Sequence, residues 1–369
     1  MIGKYARRQL RVRFVIALVS GLLLSLLLSL HVERLNNEHV QTLLNEKADN
    51  LVHQIQERIE LYQYGLRGMR GAILTAGDDL NRKLVKRYSA TRDVDIEFPG
   101  ARGFGFIRRV AEADEDSFIQ AAQADGWPDF TIRQLSVHSG ERFVIQYIEP
   151  VERNLAAVGL DIASETNRRE AAWSALLSGE VYLTGPITLV QATGNPQQSF
   201  LILLPVYRGG HTPASREERL ARGIGWSYAP LLMEEVLADL HLFDNNLKLE
   251  LTDTTDETQP VLFFTNATGQ SLAAIAPFQQ EQRIYGRNWQ FRVQAYPAFV
   301  KAQHITSPLL VFVLGALISV LASTLFAMWL NSRLRREEFV AQQARLAAIV
   351  ESSADSIISQ DCHGIIRSW

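Results

Sequence analysis

Apolar residues run without a charge from Phe14 to Leu30 and again from Pro308 to Leu330. The first run holds 17 residues and the second 23, against the roughly 20 that an α-helix needs to cross a bilayer core. Each therefore predicts a transmembrane helix, over 14–31 and 307–330. Lys4, Arg7, Arg8, Arg11 and Arg13 precede the first run, and Arg333, Arg335 and Arg336 follow the second. Positive flanks stay on the cytoplasmic side, so both termini are expected in the cytoplasm and 31–304 outside a cell inner membrane. A cleaved signal peptide is the rival reading of the first run. Its apolar stretch is longer than the usual signal core of about 7–15 residues and no small-x-small cleavage site follows, so an uncleaved anchor is expected.

Beyond the first span the period changes. Leu44, Ala48, Leu51, Ile55, Ile59, Tyr62, Leu66, Met69 and Ile73 recur at spacings of mostly four and three, the seam of one long stalk helix over 32–80. Glu46, Lys47, Gln54, Glu57 and Arg58 occupy the other faces. The stripe must pack on something, and the expectation is divided: membrane-proximal turns against a second subunit, distal turns against the chain's own domain.

Between 101 and 296 short β-rich runs alternate with turns. Strands are predicted at Gly103–Val110, Phe130–Leu135, Arg142–Ile148, Val181–Thr184, Phe200–Arg208, Gly223–Tyr228, Lys248–Thr252, Val261–Thr265 and Trp289–Ala295. Helices are predicted at Asp114–Asp125 with Asp114 as cap, at Glu165–Leu177 ended by Gly179, and at Pro230–Leu240 with proline in its first turn. Strands and helices mixed without regular β-α-β alternation predict an α+β fold. Two antiparallel-sheet subdomains account for the length, 81–228 distal from the membrane and 229–304 proximal to it.

Past the second span, 331–350 reads as a charged helix continuing the membrane helix. Residues 351–369 then read as two short strands, Ser356–Asp361 and Ile365–Trp369, around the turn Cys362-His363-Gly364. The chain stops there, and a further output module is expected to follow. Glu351, Asp355 and Asp361 read as cap and turn residues, and Cys362 as a turn residue without redox chemistry.

Composition narrows the function. Of the residues 47% are hydrophobic and 21% charged, and the formal net charge is −3. No basic patch is interleaved with aromatics, so nucleic acid is not an expected partner. Cys362 is the single cysteine, so the outer domain must hold by its core without disulfides. The eight histidines, at 31, 39, 53, 138, 211, 241, 304 and 363, form no His-x-x-x-His or Cys/His cluster. No glycine-rich phosphate loop and no Gly-x-Ser-x-Gly elbow occurs. No catalytic residue, metal or cofactor is expected within these residues.

Several stretches together resemble a known family. Gly103-Phe-Gly-Phe-Ile-Arg-Arg-Val110, then Phe118, Asp125-Gly126-Trp127 and Phe130-Thr-Ile132, follow the order seen in CHASE domains. So do Tyr147-Ile-Glu-Pro150, Gly159-Leu-Asp161, Arg168-Arg169-Glu170-Ala171-Ala172, Leu183-Thr-Gly-Pro186 and Phe200-Leu-Ile-Leu-Leu-Pro-Val-Tyr207. CHASE domains are extracytoplasmic sensor modules of receptor histidine kinases and of cyclic-di-nucleotide cyclases and phosphodiesterases. The resemblance implies a stalk helix and two PAS-like subdomains with ligand in the distal one. It covers 101–228, and the tail from Leu346 similarly resembles the opening of a cytoplasmic PAS domain.

The resemblance also implies site residues. Thr184 and Leu203 match positions that line the pocket in cytokinin-type members, where an acidic residue reads the purine edge. Asp161 is the candidate for that acidic reader, and as a loop-to-helix aspartate it would equally serve as an N-terminal cap. If the acidic position falls on Arg168–Arg169 instead, the charge is reversed and an adenine-type ligand loses its reader. Trp127 and Trp226 could stack on a ring or fill a core; Arg108 and Arg109 read as solvated unless an anion claims them.

The expectation is a homodimeric membrane receptor, joined through its stalk helices, that binds a small molecule, purine-like or another metabolite. It would regulate a histidine kinase or a diguanylate cyclase/phosphodiesterase beyond residue 369. The alternative is an interaction receptor whose outer domain binds a partner protein.

Overall fold

The computed structural model describes residues 2–190, 199–238, 246–267, 269–351, 359–361, 363 and 365–368. These form two units: Val40–Gln303, and the chain's two ends up to His39 and from His304. His241, Asp355 and Cys362 lie outside the described residues.

Helix α1 spans Ile2–Ala76 and passes into a 3-10 turn at Gly77–Asp79. The segments expected as first span and stalk are thus one helix, which ends four residues earlier than expected. From Val40 to Ile73 its whole apolar stripe is buried within this one chain. Gln56 Nε2 donates to Gln282 Oε1 at 3.0 Å, Tyr62 OH to the Pro99 carbonyl, and the Leu66 carbonyl accepts from Ser227 Oγ at 2.9 Å. The stripe's membrane-proximal turns are therefore not a free dimer seam. Leu44, Ala48 and Leu51 are spent on the chain's own core, because two sheets lie along the helix where the sequence pattern required only some apolar partner.

After α1 come α2 (Arg82–Ser89), α3 (Val94–Glu97), β1 (Phe104–Val110), α4 (Glu115–Ala124), β2 (Arg133–Gln134), β3 (Arg142–Glu149) and β4 (Leu160–Asp161). Helix α5 (Thr166–Ser178), β5 (Tyr182–Leu183), β6 (Ser199–Tyr207), α6 (Arg216–Arg222), β7 (Gly223–Leu232) and α7 (Met233–Ala238) follow. The seven strands make one sheet in the order β2-β4-β3-β1-β7-β6-β5. It is antiparallel except for the β2–β4 pair, which is parallel, so the expectation of purely antiparallel sheets fails at that edge.

The second sheet contains β8 (Leu247–Asp253), β9 (Val261–Thr265), β10 (Phe278–Ile284) and β11 (Arg287–Ala295), ordered β10-β11-β8-β9 and wholly antiparallel. Helix α8 (Pro297–Ala302) closes this unit. Buried and solvent-facing residues alternate along β8 and β11, as in a sheet with one packed face. Phe200, Phe263 and Trp289 meet at ring-centroid distances of 4.7–5.2 Å beneath it.

Several expected elements differ. The division near Ala229 cuts through β7, which stays paired with β6 as far as Ser199↔Leu232. Pro230 lies in that strand, its carbonyl accepting from Arg102 N at 2.9 Å, and the helix begins only at Met233. Phe130–Leu135 shrinks to the two residues of β2. Asp114 precedes α4 but makes no capping bond. Strand β10 was not foreseen, because Gln279, Gln280, Glu281, Gln282 and Arg283 carry no apolar alternation.

In the other unit, α1 lies beside α9 (Pro308–Glu351), one helix over the segments expected as second span and signalling helix. Both helices are long and apolar enough to cross a membrane. They meet through small residues four apart: a Cβ added at Gly21 would stand 2.7 Å from Ser319 Cβ, and one at Gly315 would stand 2.6 Å from Ser25 Oγ. Ser25 and Ser319 hydroxyls are 3.4 Å apart, and Ser29 Oγ donates to the Pro308 carbonyl at 2.8 Å. Small residues let helix backbones approach where apolar burial gives no drive. Leucine at Gly21 should push the helices apart; cross-linking between Ser25→Cys and Ser319→Cys in lipid vesicles, efficient otherwise, should fall to background with Gly21→Leu. At the end of the chain β12 (Ser359–Gln360) pairs antiparallel with β13 (Ile366–Ser368). Asp361 Oδ1 accepts from His363 N and Ile365 N at 3.0 and 3.1 Å, the turn role expected of it.

Candidate functional site

Alternation along β7 sends neighbouring side chains to opposite faces of the large sheet. Ser227 reaches α1, and Trp226 Nε1 donates to the Ala172 carbonyl of α5 at 2.8 Å. Helix α5 starts cleanly because Glu165 accepts from Asn167 N and Arg168 N, both at 3.0 Å. It stops at Gly179, which takes φ +79°. Its sheet-facing side is Arg168, Ala171, Ala172, Ala175 and Leu176, the i, i+3, i+4, i+7, i+8 spacing of a packed helix face.

Three alanines bring the helix close to the sheet, and aromatics fill the layer between. Phe143 stands 5.1 Å from Trp173 and 4.5 Å from Trp226. Trp226 is thus a core residue. Two of the expected site residues lie at this layer's β5–β6 edge. Thr184 is fully buried and its Oγ1 accepts from Leu201 N at 3.0 Å. Leu203, also fully buried, lies opposite Tyr182 on one side and Tyr228 on the other.

Asp161 does not join them. It sits on β4, with β3, β1, β7 and β6 between it and β5. Its Oδ1 accepts from Phe143 N at 2.8 Å and Ala163 N at 3.0 Å, and its Oδ2 lies 2.7 Å from His138 Nε2. The capping role is the one its contacts describe, at the 3-10 turn Ile162–Ser164. The buried carboxylate is spent on backbone amides and an imidazole. Asp161→Ala should therefore cost about 2–4 kcal/mol of stability in urea denaturation, since it strands two buried N–H groups, and Asp161→Asn, which keeps one acceptor, should cost less.

Two groups at this layer with no binding role expected from the sequence are buried without satisfaction among the described residues. Arg168 is 3% exposed. Its Nη2 donates to the Thr188 carbonyl at 2.8 Å and its Nε lies 3.9 Å from Glu165 Oε2, but Nη1 finds no partner among the described residues. Burial lowers its pKa, an effect that Glu165 partly opposes. Tyr228 OH is likewise without a partner, and burial raises its pKa well above the ordinary value. The signal for Arg168 was available: it occupies an otherwise apolar helix face.

Arg108 and Arg109 are not solvated. Arg108 Nε donates to Gln146 Oε1 at 3.1 Å and its guanidinium covers the Phe106 ring, while Arg109 grips Glu141 through two bonds of 2.8 and 2.9 Å. A recess between α2, α4 and β3 holds Trp127 under the Arg82 guanidinium at 4.1 Å. There Asp125 accepts from Arg82 N at 2.9 Å and from Tyr147 OH at 2.7 Å. These pairs fasten the helices to the sheet. Among the described residues no group of three His, Cys, Asp or Glu could hold a metal ion.

The sequence pattern of the CHASE domain matches residues 78–264. No curated protein sequence matches the chain. Among solved structures, the chain resembles an extracellular ligand binding receptor from Desulfohalobium retbaense DSM5692, with TM-score 0.41, 10% identity and 69% of this chain aligned to 39% of that one. It also resembles the periplasmic sensory domain of the Campylobacter jejuni chemoreceptor Tlp1, with TM-score 0.39, 12% identity and 73% of this chain aligned to 98% of that one. The chain thus spans well under half the length of the Desulfohalobium receptor. The matched region takes in the whole large sheet with α5, and β8 and most of β9 of the second sheet, and it runs over half of the 369 residues, so this chain belongs to the CHASE domain family.

Proposed function

We propose that this chain is the sensor part of a membrane receptor. In this reading α1 and α9 cross a cell inner membrane with both termini cytoplasmic, and Val40–Gln303 lies outside and binds a small molecule. The ligand enters the layer between α5 and the β5–β6–β7 edge, beside Thr184 and Leu203. The observation that carries the placement is the pair of buried, unsatisfied polar groups there, Arg168 Nη1 and Tyr228 OH. Such groups are costly in a closed core and are what an apolar pocket uses to orient a guest. Ligand binding would act by favouring one of two packings of α1, with a coupling of about 1–3 kcal/mol, in a homodimer joined by stalk faces other than the buried stripe. The output, a histidine kinase or a diguanylate cyclase/phosphodiesterase, would lie beyond a PAS domain opening at 351.

Two experiments test this. Reporter fusions after residue 200 and after residue 345 should report periplasmic and cytoplasmic positions respectively; the opposite pattern overturns the topology. A metabolite screen by thermal melting of the detergent-solubilised chain should find a compound that raises the melting temperature saturably. A stable complex with a partner protein and no such compound would replace ligand sensing by partner binding.

A further inference from the structure

The structure assigns to Arg168 the role of anchor for a small monocarboxylate with an apolar body, a step that rests on the reading of the α5-covered layer as the ligand site. A guanidinium carries five N–H donors in a planar fork, and at Arg168 only Nη2 has a hydrogen-bond acceptor among the described residues, the Thr188 carbonyl. Glu165 Oε2 at 3.9 Å from Nε is beyond hydrogen-bond reach, and its two oxygens already cap the backbone of α5 at Asn167 and Arg168. Among the described residues Nη1 is left with no acceptor, at 3% residue exposure. A buried cation so placed weakens the core unless something anionic completes it.

Geometry and charge select the class of ligand. Arg168 shares its helix face with Ala171 and Ala172, and Thr188, itself exposed, is bracketed by Ile187 and Leu189; those two alanines, Ile187 and Leu189 are buried in one core cluster. Buried apolar residues therefore flank Arg168 on its helix and Thr188 along the chain. One guanidinium neutralises one negative charge, and a planar carboxylate fits the fork. A dianion would bury a second charge beside Glu165 with no cation to meet it. A neutral purine would leave the cation as unpaired as before. The ligand's apolar body would lie against the aromatic and aliphatic residues of the layer, with Tyr228 OH as a further donor on the same sheet face.

The test uses the full chain in detergent micelles, with melting followed by intrinsic tryptophan fluorescence, and four probes: benzoate, phenylacetate, the neutral isostere benzamide, and adenine. At least one carboxylate should raise the melting temperature saturably, and benzamide should bind roughly 30-fold or more weakly, as expected when one partner of a buried charge pair is missing. Arg168→Met should weaken carboxylate binding by a similar factor while its ligand-free melting temperature stays equal or rises, because an incompletely paired charge has been replaced by an apolar chain. A carboxylate that binds Arg168→Met as tightly as it binds the parent chain overturns the assignment. So does the absence of any carboxylate shift in the parent chain, and a lowered ligand-free melting temperature for Arg168→Met would then mark Arg168 as structural. If benzamide or adenine stabilises the chain and the carboxylates do not, the anion assignment falls while the pocket itself stands.

Discussion

Replacing Ile59 with aspartate should unfold the unit Val40–Gln303, at a cost exceeding about 4 kcal/mol in urea denaturation. Ile59 is fully buried midway along the stripe of α1. The substitution removes a branched side chain from a packed layer and puts a carboxylate there with no partner. Glu60→Gln, on the exposed side of the same turn, should change stability by less than about 0.5 kcal/mol. The measurement also decides what the stripe is for. Were it an inter-subunit seam, Ile59→Asp would leave a folded chain of altered oligomeric state; the intrachain packing predicts loss of the fold itself, read by circular dichroism alongside size-exclusion chromatography.

The second large effect is expected at Trp226, where alanine should cost about 3–5 kcal/mol. The indole is fully buried between the sheet and α5, its ring 4.5 Å from Phe143 and its Nε1 bonded to the Ala172 carbonyl at 2.8 Å. Ala171, Ala172 and Ala175 have no reach to refill the space, so the cavity would persist. Trp226→Phe keeps most of the ring volume and loses the bond, and should cost about 1–2 kcal/mol. Because Phe143 also receives its backbone N–H partner from Asp161, Trp226→Ala and Asp161→Ala should not be additive. A double-mutant cycle in urea checks this; strict additivity would separate the aromatic layer from the Asp161 turn.

Much of the architecture was legible because periodicity is a local property. The stripe on α1, the alternation of β8 and β11, the limits of β9, and Glu165 and Gly179 around α5 all follow from neighbours in sequence. The same locality explains the misses. Strand β10 has polar residues from Gln279 to Arg283, so only its in-register pairing with β11 makes it a strand. Pro230 reads as a helix start from its neighbours alone, whereas the bond from Arg102 holds it in β7.

The candidate site divides in the same way. Thr184 and Leu203 came from their matching stretches and lie at one sheet edge. Asp161 resembled a reader of ligand, but strand order carried it four strands away and gave its oxygens to Phe143, Ala163 and His138. Arg168 was visible only as a possible reversal of charge; its significance lies in an acceptor that Nη1 lacks, which no sequence pattern displays.

By itself, then, the order of residues determined which segments are apolar enough to cross a membrane, which helix carries a stripe, and which family the chain resembles, because each depends on composition and spacing along the chain. The tertiary structure decided what the stripe packs against, where the large sheet ends, which carboxylate is already satisfied, and which cation is not. Those depend on groups far apart in sequence competing for the same hydrogen bonds and the same buried space.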